Sequence, residues 1–547
     1  MFTGETYEEV YNNFEWDIPK EYNIGVDICD KWASDKSRLA LIYVDENQRE
    51  HKYTYWELMI QSNRLANGLK SINLKKGDRV AVLLPSCPET LFTHLAVYKS
   101  GAILLPLLEL FGSLAVKYRL QSSGAKIIVT DQDNLHKVLE VKSELPDLEK
   151  IIVINPGDQQ DVIDFYEILN KGNRQFIPVQ TLAEDPAIII YTSGTTGQPK
   201  GALHAHRLLL AEVVNFSFAL NFFPQKGDLL WTHCDWGYIA GSFAALYPCL
   251  HFGMTIVENR RTGRFDPHEA LKIISRYGVS VIFAISTAIR MIRKEVPFPK
   301  DHYNLDELRS ITIGGETMGD NLYEWGKSAL GVEFNENYGM TECDFTISNC
   351  SAIMDVFPGS MGRAIPGHTV GIINPEGDEV ASGEYGEIAI QRPDPSLFLE
   401  YWQNQKATQK RYNGDWFLTG DFGYKDKNGY FWFVGREDDV IETSGFRVGP
   451  GEIEDVIMKH EAVEMAAAIG IPHEIKGEVV KAYVILKKNV SISPELEQSI
   501  KDHVRNKLEA WAYPKEIEFV TELPIGNTGK VLKKELKALD AKKRRKK

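Results

Sequence analysis

Ten residues beginning at Thr192 concentrate groups suited to holding a polyanion. Thr192-Ser193-Gly194-Thr195-Thr196-Gly197-Gln198-Pro199-Lys200-Gly201 contains three glycines, four hydroxyls and one lysine. Glycines let backbone N–H groups approach an anion closely, hydroxyls add donors, and a lysine supplies charge. The pattern is a polyphosphate cradle. It is not the P-loop spacing, because Lys200 follows Pro199 and precedes Gly201. A Gly/Ser/Thr-rich stretch alone is often a linker. This one directly follows the apolar run Ala187-Ile188-Ile189-Ile190-Tyr191.

Such a loop needs a rigid support, and the surrounding chain predicts one. Residues 187–191 read as a buried strand, and Leu203 to Leu220 as a helical stretch. Before them, 79–85, 102–107, 126–130 and 150–154 are short continuous apolar runs separated by helical segments such as 89–100. That is the mark of a parallel sheet covered on both faces. The pattern returns at 279–284 and 310–313, so two α/β units are expected. The first 50 residues, aromatic and weakly periodic, read as a segment laid over this body. After about residue 360 turns become dense, as at Asn374-Pro375-Glu376-Gly377 and Lys427-Asn428-Gly429, with short alternating strands such as 430–434. This predicts a distorted β-barrel. A shorter α+β pattern follows, with a helix over 451–460 and a strand over 479–486. The expected architecture is α/β: a large domain over 1–435 and a small, mobile α+β domain over 436–547.

Composition removes several function classes. With 62 Lys+Arg against 76 Asp+Glu the net charge is −14, unlike a general nucleic-acid binder. The six cysteines include no C-x-x-C pair and read as reduced packing residues. His233 and Asp235 are too few for a metal centre. No run approaches the ~18 apolar residues of a membrane helix, and the acidic N-terminus lacks a signal core. A cytoplasmic enzyme without integral membrane or nucleic-acid contacts is expected, its oligomeric state open. The cations of 542–547 read as a solvated tail.

Further segments recur in a fixed order: Asn337-Tyr338-Gly339-Met340-Thr341-Glu342, Thr419-Gly420-Asp421, Gly435-Arg436-Glu437-Asp438-Asp439, Ser444-Gly445-Phe446-Arg447-Val448-Gly449-Pro450 and Pro524-Ile525-Gly526-Asn527-Thr528-Gly529-Lys530. With Tyr191–Gly201, this series resembles the adenylate-forming superfamily of acyl-CoA synthetases, peptide-synthetase adenylation domains and luciferases. The resemblance implies a two-step ligase. A carboxylate displaces pyrophosphate from ATP, and the acyl-adenylate then passes its acyl group to the thiol of CoA. Lys530, Thr196 and Lys200 are implied as catalytic. ATP or AMP would be held by Thr192, Ser193, Gly194, Thr195, Gly197, Gly315, Glu316, Thr317, Glu336, Asn337, Tyr338, Gly339, Met340, Thr341, Asp421, Arg436 and Arg447. Glu342 would ligate Mg2+, a hard ion that takes oxygen donors. Ser444, Gly445 and Arg505 would face CoA, and Asp438 would be the hinge.

Residues 231–241 resemble the substrate-side segment of the family, giving Tyr238, Ile239, Gly314 and Gly339 as the acyl pocket. Where acetate enzymes carry a tryptophan this chain has Gly339, which implies an open floor and an acid longer than acetate. The run 477–484 is similar to medium-chain acyl-CoA synthetases. A benzoate-like ring framed by Tyr238 and Trp236 is the alternative, as is loading of a separate carrier protein. A luciferase-like oxygenase fits less well because the substrate-side residues look different, and a binding protein without chemistry because Lys530, Glu342 and Asp421 are all present.

Overall fold

The computed structural model describes the chain except residues 193–198, 262, 264, 316, 317, 319, 437, 438, 440, 444, 445, 474–476, 506–512, 526–530 and 545–547. For 320, 442, 443, 446–448, 452 and 477 it describes the backbone alone. The backbone packs as two compact units: residues 1–369 with 393–412, and residues 370–392 with 413–547.

The first unit is built on two sheets. One runs in the order Ser360–Ala364, Asp344–Ser348, Phe334–Met340, Ser310–Gly314, Val281–Ile285, Leu230–Thr232, Ile256–Asn259, Leu39–Val44, Glu50–Thr54. The pairs from Phe334–Met340 through to Leu39–Val44 are parallel and both margins are antiparallel. The other runs Glu400–Tyr401, Lys200–Ala205, Pro186–Thr192, Ile103–Leu107, Arg79–Leu83, Ile127–Asp131, Lys150–Ile154, Ile163–Asp164. Side chains alternate along each strand, so a strand buried on both faces feeds two cores. Val80 and Val82 join a core shared with Leu41, Leu230 and Phe283 of the first sheet, whereas Ala81 and Leu83 join a separate outer core. The continuous apolar runs of the sequence are the consequence.

Two expectations change here. The helix predicted from Leu203 starts instead at Leu208 and runs to Ala219. Before it, Lys200–Ala205 forms a strand antiparallel to Pro186–Thr192. The phosphate-type loop therefore joins two strands of a hairpin rather than a strand and a helix. The opening segment is also not simply laid over the body, because Leu39–Val44 pairs in parallel with Ile256–Asn259 inside the sheet. The preceding helix Tyr7–Asn12, with a Thr6/Glu9 capping box, is pinned by Tyr7 Oη donating to the Ala364 carbonyl at 2.7 Å.

In the second unit, Val370–Ile373, Tyr385–Gln391, Trp416–Lys425 and Phe431–Arg436 pair antiparallel in that order. These strands group with the C-terminal residues, whereas the sequence reading placed them in a domain ending at 435. They pair among themselves, which ties 370–392 to 413–436. A further sheet orders Phe446–Val448, Ile441–Thr443, Gly477–Leu486 and Val463–His473, with Glu516–Phe519 also beside Gly477–Leu486. Helix Pro450–Met458 packs on it through Ile453 and Ile457.

Candidate active site

The exit of the glycine-rich loop is fixed in the first unit. Tyr118 Oη donates to the Pro199 carbonyl at 2.8 Å, and the Trp402 N–H donates to the Gly201 carbonyl at 2.7 Å. Tyr401 is paired with Ala202 across the sheet margin. This places the Tyr401 ring beneath Lys200, whose Nζ lies 5.0 Å from the ring centroid, a cation–π contact. Thr192 ends the incoming strand. Ser193, Gly194, Thr195, Thr196 and Gly197 lie outside the described residues.

The same tyrosine reaches the second motif. Glu342 is 3% exposed and follows the strand Phe334–Met340. Its Oε1 accepts a hydrogen bond from Tyr401 Oη and lies 3.7 Å from the Arg411 guanidinium, whose Nε donates to Tyr401 at 3.0 Å. Burial, followed by the Glu342 charge, drives the Tyr401 phenol well above its usual range, so it stays a donor. The Glu342 carbonyl accepts the Phe398 N–H at 2.8 Å. His204, pushed down to about 3 by burial, is neutral and donates Nε2–H to the Thr341 carbonyl at 2.8 Å. Lys200, Glu342, Tyr401 and Arg411 thus form one cluster. Nothing local in the sequence marks Tyr401, Arg411 or His204. Mg2+ is commonly held by one or two carboxylates together with substrate phosphates. A single buried glutamate with one oxygen engaged fits that mode, although among the described residues no group of three acidic, histidine or cysteine ligands exists.

Glu336, Asn337 and Tyr338 are buried on the strand Phe334–Met340. Asn337 Nδ2 donates to Thr312 Oγ1 at 2.8 Å. Gly314 is packed against this amide: a Cβ there would sit 2.2 Å from Asn337 Oδ1. At Gly339 a Cβ would meet the Asp344 carbonyl oxygen at 1.6 Å. The open floor expected at these two glycines is therefore corrected. Their missing side chains make room for Asn337 and for the Asp344 backbone, and Gly339 presents bare backbone on its exposed side. Gly339→Ala should cost about 1–3 kcal/mol through overpacking, read as a lower melting temperature. Gly315, exposed at φ +89°, holds a backbone state that favours glycine. Glu316 and Thr317 lie outside the described residues.

On the substrate-side segment, Ile239 is buried and Tyr238 is 38% exposed. Burial, with smaller contributions from Cys234, Asp344 and Glu342, raises the Tyr238 phenol, which places it in the field of the Glu342 hairpin. Trp236 is fully buried in the core between the sheets, so it does not frame a ring substrate. Asp235 Oδ1 accepts the Gly237 N–H at 2.7 Å and closes a turn. His233 is neutral, its value pushed down to about 3 by burial. All six cysteines are buried and free.

In the second unit, Asp421 is buried on Trp416–Lys425 and opposite Arg436, whose Nε donates to Asp421 Oδ1 at 2.9 Å. The Gly420 N–H donates to Glu387 Oε1 at 2.8 Å and Thr419 Oγ1 to the Ile388 carbonyl at 2.6 Å, which holds the Asp421 turn to its neighbouring strand. Arg447 lies on Phe446–Val448 opposite Glu442. Arg505 ends the helix Pro494–Arg505, exposed, with its guanidinium 5.5 Å from the Tyr513 ring centroid. Ile525 and Val531 form an antiparallel bridge on either side of 526–530. Asp438, Ser444, Gly445 and Lys530 lie outside the described residues.

With this geometry in place, known proteins supply the comparison. The AMP-binding enzyme family model matches residues 29–402, and the AMP-binding enzyme C-terminal domain model matches 452–530. The chain belongs to the AMP-binding enzyme family. Acetyl-coenzyme A synthetase of Bacillus subtilis (strain 168) is 33% identical, over 98% of this chain and 95% of that protein. The mitochondrial acyl-coenzyme A synthetase ACSM4 of Rattus norvegicus is 32% identical, over 96% of this chain and 91% of that protein. A solved anthranilate CoA ligase, AuaEII in complex with anthranoyl-AMP, superposes with a TM-score of 0.86 at 28% identity, covering 96% of this chain and 98% of that one. The enzyme is an AMP-forming CoA ligase of adenylate-forming fold. No helix among the described residues is long and apolar enough to cross a membrane.

Proposed function

We propose that this AMP-forming ligase activates a short- to medium-chain fatty acid. In the first step a carboxylate oxygen attacks the α-phosphorus of ATP, pyrophosphate leaves and acyl-AMP forms. In the second the sulfur of CoA attacks the acyl carbon, AMP leaves with the bonding electrons and the thioester remains. The observation that carries the site is the convergence of Lys200 and Glu342 on Tyr401. It brings the exit of the glycine-rich loop beside Glu342 of the hairpin. Lys200 with the donors of 192–197 receives phosphates, and Tyr338 and Gly315 border the adenine. Asp421, with Arg436 holding one of its oxygens, accepts the ribose hydroxyls. Glu342 would hold Mg2+, which would supply charge neutralisation on the phosphates. Lys530 spans the carboxylate and α-phosphate in the first step. Ser444, Gly445 and Arg505 serve the CoA step.

The resemblance of 477–484 to medium-chain acyl-CoA synthetases supports an acid longer than acetate, while Gly339, packed against the Asp344 backbone, carries no part of that reading. The aryl alternative keeps two supports, exposed Tyr238 and the anthranilate CoA ligase as a structural neighbour. A panel running from acetate to dodecanoate plus benzoate, scored by kcat/KM, separates them. Highest values between butyrate and octanoate support the fatty-acid reading, and a maximum at benzoate or acetate contradicts it.

The hinge is tested separately. Asp438→Pro fixes φ near −65°, so one domain orientation should be trapped. One half reaction should survive while the other collapses, measured as acid-dependent pyrophosphate exchange and as acyl transfer from synthetic acyl-AMP. Equal loss of both in a folded variant contradicts a pivot at this position.

A further inference from the structure

Beneath the Glu342 hairpin lies a chain of buried polar side chains that the ligase reaction as described does not use. It begins at Asp344, two residues after Glu342, where a φ of +47° turns the backbone into the left-handed region. The Asp344 carboxyl meets that of Glu212 on the helix Leu208–Ala219. Asn215 Nδ2, one turn along the helix, donates to Glu212 Oε1 at 3.1 Å. The Asn215 Oδ1 accepts from His368 Nε2 at 2.8 Å, and His368 Nδ1 donates to Asp394 Oδ2 at 2.6 Å. The other Asp394 oxygen accepts Ser396 Oγ at 2.6 Å and the Ser396 N–H at 2.9 Å. Two residues on, the Phe398 N–H donates to the Glu342 carbonyl. The chain closes on itself.

Glu212, Asn215, His368 and Asp394 are all buried. Taking so many polar groups from water costs more than an apolar core of the same volume, unless every member is satisfied. Here the ring ties together two segments that are distant in sequence. One carries Glu342, and the other carries Tyr401, the hydroxyl donor to the Glu342 carboxylate. The Glu212 and Asp344 side chains share a hydrogen bond, which joins the helix Leu208–Ala219 to the strand Asp344–Ser348. Trp16 packs edge-on against the His368 ring at 5.3 Å and shields it.

We propose that this buried ring positions Glu342 for ATP, making Glu212, Asn215, His368 and Asp394 positioning residues for the adenylation step. The inference rests on the reading that Glu342 serves the nucleotide–metal complex, and the experiment separates the two. Glu212→Leu removes the link to both Asp344 and Asn215. KM for ATP in pyrophosphate exchange should rise roughly tenfold, while acyl transfer from synthetic acyl-AMP to CoA stays within about twofold. Glu212→Gln, which can donate to Asp344 and accept from Asn215, should restore the ATP KM. Asp394→Asn, of nearly the same shape, tests the far end of the ring and should show the same ATP-selective rise. It carries the test if Glu212→Leu does not fold.

Glu342→Ala is the control. If it leaves ATP kinetics unchanged, the reading of Glu342 falls and this inference with it. If Glu342→Ala impairs ATP use but folded Glu212→Leu or Asp394→Asn keeps the parental ATP KM, the inference alone is overturned. Equal losses in the two half reactions, or no recovery in Glu212→Gln, also overturn it, since a merely structural role predicts them.

Discussion

Lys530→Ala should cut acid-dependent ATP–pyrophosphate exchange by about a hundred- to a thousand-fold. The same variant, given synthetic acyl-AMP and CoA, should form acyl-CoA at close to the parental rate. The first step brings a carboxylate up to a polyphosphate, so its barrier is largely electrostatic, and a positioned ammonium offsets both charges. The second step starts from a neutral mixed anhydride carbonyl and has no such anion pair to bridge. An ammonium on a flexible four-carbon stem suits a group needed in one step only. Stopped-flow or quenched measurement of the two half reactions checks this. Comparable loss in both contradicts a role confined to adenylation.

Glu342→Ala is the second large effect. It removes the proposed oxygen ligand of Mg2+ and also the acceptor of Tyr401 and the counter-charge of Arg411. kcat/KM for ATP should fall roughly a hundredfold, with a higher Mg2+ concentration needed for half-maximal rate. Glu342→Gln distinguishes the two roles. The amide oxygen can still accept from Tyr401, so the melting temperature should recover toward the parental value. The activity should not, because a neutral amide is a weaker ligand for a hard dication. Recovery of activity in Glu342→Gln would show that the glutamate matters for packing only.

The strands were legible because both of their faces are buried. Ile127–Asp131 and Lys150–Ile154 stand where the continuous apolar runs put them. Lys200–Ala205 was not, for a related reason. Its alternation is short, and the apolar stretch beyond Leu208 extends the helical pattern backwards, which periodicity alone does not resolve. Motif order revealed the family and picked out the hairpin that carries Glu342. Tyr401 and Arg411 carry no local pattern, and they enter the site only because Glu400–Tyr401 pairs with Lys200–Ala205. Likewise the glycines at 314 and 339 read as empty space in sequence, while the backbone and Asn337 occupy it. A glycine records that something lies close, and only the fold says what.

The most direct test of the account is the nucleotide product. With ATP, Mg2+, hexanoate and CoA, the enzyme should release AMP and pyrophosphate in equal amounts with hexanoyl-CoA, and without CoA it should still exchange pyrophosphate into ATP when acid is present. Release of ADP, or hexanoyl-CoA formation without matching AMP, would contradict an acyl-adenylate mechanism.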